Sequence, residues 1–325
     1  MSGDTAAFDI EAGIEASLRA GRHRTALLLA RRAWVEAPPA DRPRLRLLEG
    51  RALAADGRPN EGLAVLDDAW LLSLEANAPL DPPARDLAYG ECLLAAGDLD
   101  AAVEHLHRAW RAEAARGDAR RAADAAHRCA TALIDTDRVD LGRRAAEAAA
   151  AVFVNMGHTR DAARCQMTIA RAHLHTQDLA GARTAADAAR SMFQRVHATD
   201  DAADAMRVLA RVAMANGAIS DAVAHLESAL FTYGPDGALA QTSSTRQELA
   251  EALVELGLNL GDENVIASAL PWFSAAFDGF VRVNDTRQAA STARREAWTL
   301  RLLGRSVDAR HRLDETADAL RRALG

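Results

Sequence analysis

Small residues and leucines recur along this chain in a fixed frame. Within 86–110, Gly90 is followed by Leu93, then by Gly97, and then by Ala102 and Ala109, five and twelve residues beyond Gly97. The frame returns with its turn residue at Gly21, Gly57, Gly97, Asp137, Gln177, Gly217, Gly257 and Gly304. From Gly57 to Gly257 the step is 40 residues each time. The position five after the turn is small in seven units (Ala26, Gly62, Ala102, Gly142, Ala182, Ala222 and Ala309), and in the seventh unit an insertion of about seven residues displaces its counterpart to Ala269. The position twelve after it is Ala in the first six units, from Ala33 to Ala229, and its displaced counterpart in the seventh is Ala276. This pattern predicts two helices per unit, helix A before the turn and helix B after it. Small residues sit where the two backbones approach, and Gly at the turn supplies the left-handed conformation that ends helix A. One hairpin cannot bury its apolar face alone, so its neighbours must complete the core. About eight such units fill the chain, which is expected to be all-α, without strands and without room for a separate catalytic domain.

The frame Gly90, Leu93, Gly97, Ala102, Ala109 resembles the tetratricopeptide (TPR) consensus. The period exceeds the standard TPR length, and the extra residues fall between helix B and the next helix A. There Arg116-Gly117-Asp118, Met156-Gly157-His158-Thr159-Arg160 and Val283-Asn284-Asp285-Thr286-Arg287 resemble the x-G-D-x-R turn of the long-helix TPR class. That class occurs in the sensor arms of bacterial transcription activators, in bacterial TPR–protease fusions and in kinesin light chains. The resemblance covers nearly the full length. It implies a right-handed α-solenoid of about eight TPR-like hairpins, in a single superhelical domain over 1–325. Repeats are expected at about 7–39, 41–78, 83–117, 119–157, 159–198, 200–237, 241–284 and 285–325. The first unit is short, the seventh carries an insertion around Asn259 to Ala267, and the last has Thr316 in place of Ala and ends in Arg321-Arg322. Atypical ends are expected of capping repeats.

Composition then narrows the chemistry. Ala, Leu and Arg, the best helix formers, dominate. The net charge of −7 argues against direct nucleic-acid binding or a membrane surface. All the positive charge is Arg, because the sequence contains no Lys. Walker A loops, pyridoxal Schiff bases, kinase β-strand lysines and Ser-x-x-Lys hydrolases are thereby excluded. Cys92, Cys129 and Cys165 lack CxxC spacing, lie in Ala-rich helical stretches, and read as small buried apolar residues. The acidic segment Met1 to Glu11 has no apolar signal-peptide core, and no window is apolar enough to span a membrane, so a cytoplasmic location is expected.

Catalytic and metal-binding constellations are not evident. His105/His107 and His173/His175 are two residues apart, so each pair points to different helix faces. No HExxH, zinc-type spacing or Gly-x-Ser-x-Gly elbow occurs. The chain is therefore expected not to be an enzyme and to need no cofactor or metal. His173 takes a place that is Leu93, Leu133 and Leu253 in other units, and is expected in the core. Trp34, Trp70 and Trp110 each follow the second Ala, with Leu230 and Phe277 in the same place later, and are expected between repeats.

The resemblance implies that helix A positions line a concave groove. Carried over, they point to Arg164, Met167, Arg171 and His175 in the fifth unit and to Arg207 and Arg211 in the sixth. His127 and Trp298 hold groove positions in the fourth and eighth units. Arg171 and Arg211 occupy one position in successive repeats. Several Arg forks on one wall suit a carboxylate or an acidic peptide, with methionine as an adaptable apolar neighbour. The competing reading is an internal ion-pair lattice in which Asp124, Asp135 and Asp204 neutralise those arginines. The Asn residues of carboxylate-clamp TPR proteins and of peptide-pheromone sensors are not found at these positions. The expected function is a peptide- or protein-binding scaffold, or alternatively a ligand-responsive sensor that acts through a partner. The sequence leaves the oligomeric state open.

Overall fold

The computed structural model describes residues 3–234 and 238–324. The expected ends of the sixth unit at 237 and of the chain at 325 lie outside them. Seventeen helices follow one another and no strand occurs among the described residues. Contacts divide the chain into two compact units, Met1–His158 and Thr159–Gly325. The first holds four hairpins: α1 (Gly3–Arg19) with α2 (His23–Glu36), α3 (Arg42–Ala55) with α4 (Pro59–Glu75), α5 (Pro82–Ala96) with α6 (Leu99–Arg116), and α7 (Ala119–Asp135) with α8 (Val139–Asn155). The second also holds four. They are α9 (Thr159–His175) with α10 (Leu179–Arg195), α11 (Thr199–Ala215) with α12 (Ile219–Tyr233), α13 (Leu239–Leu260) with α15 (Leu270–Arg282), and α16 (Thr286–Leu302) with α17 (Ser306–Leu324). The short α14 (Glu263–Ala267) lies between α13 and α15.

Turn chemistry ends the helices where the frame expects, with one exception. Gly21, Gly57, Gly97, Asp137, Gln177, Gly217 and Gly304 all have positive φ. At Gly97 the turn closes with the amide of Asp98 donating to the carbonyl of Leu93 at 3.0 Å, which satisfies an orphan helix carbonyl. Asp98, Asp118, Asp178 and Asp285 then accept from backbone amides at the starts of α6, α7, α10 and α16. The exception is Gly257, which is buried inside α13, while the chain turns at Gly261 with φ 65°. Gly257 is small for another reason: a Cβ there would lie 2.8 Å from the backbone nitrogen of Ile266. The insertion in the seventh unit thus lengthens helix A and adds α14 against it.

Within a hairpin the helices touch through complementary volumes. Cβ atoms at Gly50 and Gly90 would meet Leu66 and Leu106 of the facing helix B at 2.6 and 2.5 Å. The equivalent places in the next two hairpins are Ala130 facing Ala146 and Ala170 facing Ala186, all buried. Gly with Leu and Ala with Ala fill similar space, so the interhelix gap stays filled to core density. Gly62 and Gly142 supply closer contacts still, since a Cβ at either would approach a carbonyl oxygen at 2.8 Å.

Aromatics after the second Ala do sit between repeats, but arginine covers several of them. Trp34 is half-buried beneath Arg42 and Arg46 of the next helix A, the nearer guanidinium 4.5 Å from the ring centroid. Phe277 is buried beneath Arg312 at 4.3 Å. Trp70 departs from the expected core role: it remains 43% exposed and Arg85 covers it at 5.2 Å. His173 also departs, being half-buried with Nδ1 2.8 Å from the Asp178 carboxylate.

Candidate functional site

Within each unit, ion pairs join helix A of one repeat to helix A of the next. In the first unit Glu91 of α5 lies between two arginines. Arg51 of α3 donates to it at 2.8 and 3.2 Å, and Arg128 of α7 sits 2.6 Å away. Arg51 and Glu91 are one repeat apart on the same helix A row. Asp124 lies 3.7 Å from Arg128. Burial pushes the Asp124 carboxyl up, but Arg128, Arg51 and His127 together outweigh it and hold its pKa below the ordinary carboxylate value. His127 is half-buried in α7, within this electrostatic cluster.

The second unit repeats the device. Asp201 of α11 takes Arg160 at 2.6 Å and Arg164 at 3.8 Å, both from α9. Arg207 of α11 donates twice to Glu248 of α13, at 3.0 and 2.9 Å, and once to Asp204 at 3.2 Å. Burial works against the Arg207 cation, yet the hydrogen bonds and charge of Glu248 outweigh it and raise its pKa. Burial also pushes the Asp204 carboxyl up, against the hydrogen bond that Tyr233 donates to it at 2.6 Å. Thr292 of α16 donates to Gln247 at 2.7 Å, Gln247 donates to Glu251 at 2.8 Å, and Arg295 pairs with Glu251. Asp204 therefore neutralises an arginine, as the lattice reading expected. Asp201 and Glu248, which the sequence had not singled out, take a larger share.

The remaining expected site residues lie along the same helices. Met167 is half-buried against the cluster of Ala163, Phe193 and Ala202. Arg171 is half-buried and has neighbours of its own. His175 is exposed at the end of α9. Arg211, one repeat beyond Arg171, is exposed and makes no hydrogen bond or ion pair among the described residues. Trp298 is 52% exposed at the rim of a cavity of about 270 Å³. Val254, Leu258 and Phe273 supply its apolar wall, and Glu251, Glu255 and Arg295 its charges. Among the described residues no three His, Cys, Asp or Glu side chains gather closely enough to hold a metal ion. No helix among them is long and apolar enough to cross a membrane.

No family model matches the chain and no curated protein matches it. Solved structures do. A Rap protein complexed with competence and sporulation factor matches over 98% of this chain and 99% of that one, at 11% identity and a TM-score of 0.64. The APC/C hetero-tetramer Cut9–Hcn1 matches over 100% of this chain and 57% of that one, at 15% identity and 0.62. A putative kinesin light chain of Podospora anserina with TPR-like repeats matches over 61% and 97%, at 17% identity and 0.50. Among folds, this chain's is the TPR-like helical repeat.

Proposed function

We propose that this chain is a non-catalytic peptide- or protein-binding module, and that the helix A face of its second unit holds a segment bearing carboxylates. The observation that carries the reading is Arg211. Arg160, Arg164 and Arg207 are held by Asp201 and Glu248, whereas Arg211 stands exposed in the row that also contains Arg171. A guanidinium fork without an internal carboxylate is suited to an external one. Trp298 and its cavity offer an apolar anchor further along the same face. The similarity in fold to a Rap protein complexed with competence and sporulation factor supports a binding role. The fate of Glu91, Asp201 and Glu248, each paired with arginine, supports a scaffold rather than acid–base chemistry. Three unbridged, buried cysteines support a reducing, cytoplasmic setting.

The test is selection from a displayed library of peptides with free C-terminal carboxylates, followed by titration of the winners against Arg211→Glu and Trp298→Ala variants. Circular dichroism confirms that both variants remain folded. Arg211→Glu is expected to raise Kd at least about tenfold, or ~1.4 kcal/mol. Equal binding by the charge-reversed protein removes this face from the reading. A sensor that signals through a partner would bind in the same way and would in addition change its hydrogen-exchange pattern on binding.

A further inference from the structure

One helix A position interrupts a column of leucines. Leu53, Leu93, Leu133, Leu253 and Leu300 occupy it in five hairpins, and His173 fills it in α9. In α11 the residue is Ala213. Beside Ala213 lies a cavity of about 290 Å³, between the starts of α10 and α12 and the end of α11. Leu179 and Leu209 line its apolar part. Ala213 lines this space with a methyl group where five other hairpins carry leucine.

Four polar side chains also line this space: Arg183 from α10, Asn216 from α11, and Asp221 and His225 from α12. Arg183, Asn216 and Asp221 are exposed and His225 is half-buried. None of the four makes a side-chain hydrogen bond or an ion pair among the described residues. Burial, with Arg190 and Arg183 nearby, lowers the His225 pKa and favours the neutral imidazole, which can donate one hydrogen bond and accept another. The rim therefore offers one guanidinium, one carboxylate and two neutral polar groups. An anion alone would face Asp221, and a cation alone would face Arg183. A molecule carrying both charges satisfies both. The volume lies at the lower edge of the ~300–1,000 Å³ typical of ligand pockets, so the ligand is small.

We propose that this cavity binds a free aliphatic α-amino acid. Its side chain occupies the space beside Ala213, its carboxylate meets Arg183, and its ammonium meets Asp221. The site is separate from the Arg211 and Trp298 face, so either proposal can fail alone.

The test is calorimetry and thermal melting of the full chain with leucine, N-acetylleucine and leucinamide. Leucine is expected to bind one to one and to raise the melting temperature, as any ligand of the folded state does. The two blocked compounds each lack one charge and are expected to bind at least about tenfold more weakly, ~1.4 kcal/mol. Ala213→Leu is expected to abolish leucine binding while melting higher than the wild type. Absence of binding at millimolar leucine, or unchanged binding in Ala213→Leu, overturns the proposal. Equal binding of N-acetylleucine or leucinamide overturns the free amino acid in favour of a peptide terminus. Should Ala213→Leu not fold, Arg183→Gln and Asp221→Asn carry the test, since each must weaken leucine and unchanged affinity in both overturns the assignment.

Discussion

Individual charges in this molecule act through their position within a repeat. Arg207 is four-fifths buried and holds two carboxylates from two helices. Arg207→Ala removes charge-assisted hydrogen bonds and leaves Glu248 and Asp204 uncompensated. It should cost about 1–3 kcal/mol, read as a lower urea midpoint at unchanged m-value. Asp124 makes the matching statement about pH. Its folded pKa lies below the ordinary value, so the unfolded chain takes up its proton first as the solution is acidified, near pH ~3.9. The stability that Asp124 contributes is therefore present above that pH and is lost as pH falls through the folded value. Urea midpoints of the wild type and Asp124→Asn should differ at pH 7 and converge in acid. A gap that stays constant as the pH is lowered from 7 would mean that Asp124 contributes by packing instead.

At the scale of the helix, the spacing of small residues decides how closely partners approach. Gly142→Ala would push a Cβ to 2.8 Å from the Ala130 carbonyl oxygen and 2.7 Å from the Ile134 side chain. Overpacking of this kind costs ~1–3 kcal/mol, which differential scanning calorimetry would read as a lower melting temperature. The sequence frame made these contacts legible because helix pairs repeat and side-chain volume is local information. It did not distinguish two uses of glycine: Gly257 serves a close approach and Gly261 serves the turn. The same limit explains the missed ion-pair partners. Arg51 and Glu91 share a row and could be read from the frame, whereas Glu248 lies one position off the Arg207 row and is reached only because guanidinium stems are long. Ala213 was visible as a break in a leucine column, but only packing reveals that the space beside it stays open.

At the scale of the whole molecule, each of the two compact units contains four hairpins with their own buried clusters. Repeat arrays gain stability from nearest neighbours, and about three repeats suffice for a fold. Residues 159–325 expressed alone should therefore be helical and unfold cooperatively, and should keep the binding properties of both sites proposed above. A fragment that is unfolded by circular dichroism would show that its hairpins depend on the first four. Fold was more legible than site at this scale. The period alone dictates the succession of hairpins, while the proposed binding face rests on Arg211, whose lack of an internal partner among the described residues only the packed structure reveals.

The three buried thiols give this architecture built-in clocks. Cys92 and Cys129 lie in the first unit and Cys165 in the second, all in helix A and all within 1% exposure. Burial pushes the Cys92 thiol up to about 12 and Cys129 to about 11. Neither reacts as a thiolate while its helix is packed. Each therefore becomes modified only when the helices packed on it separate, which for Cys92 are α3 and α4 and for Cys129 includes α6. The rates at which an alkylating reagent consumes the three cysteines, resolved by peptide mapping, measure how often α5, α7 and α9 come apart in the native protein.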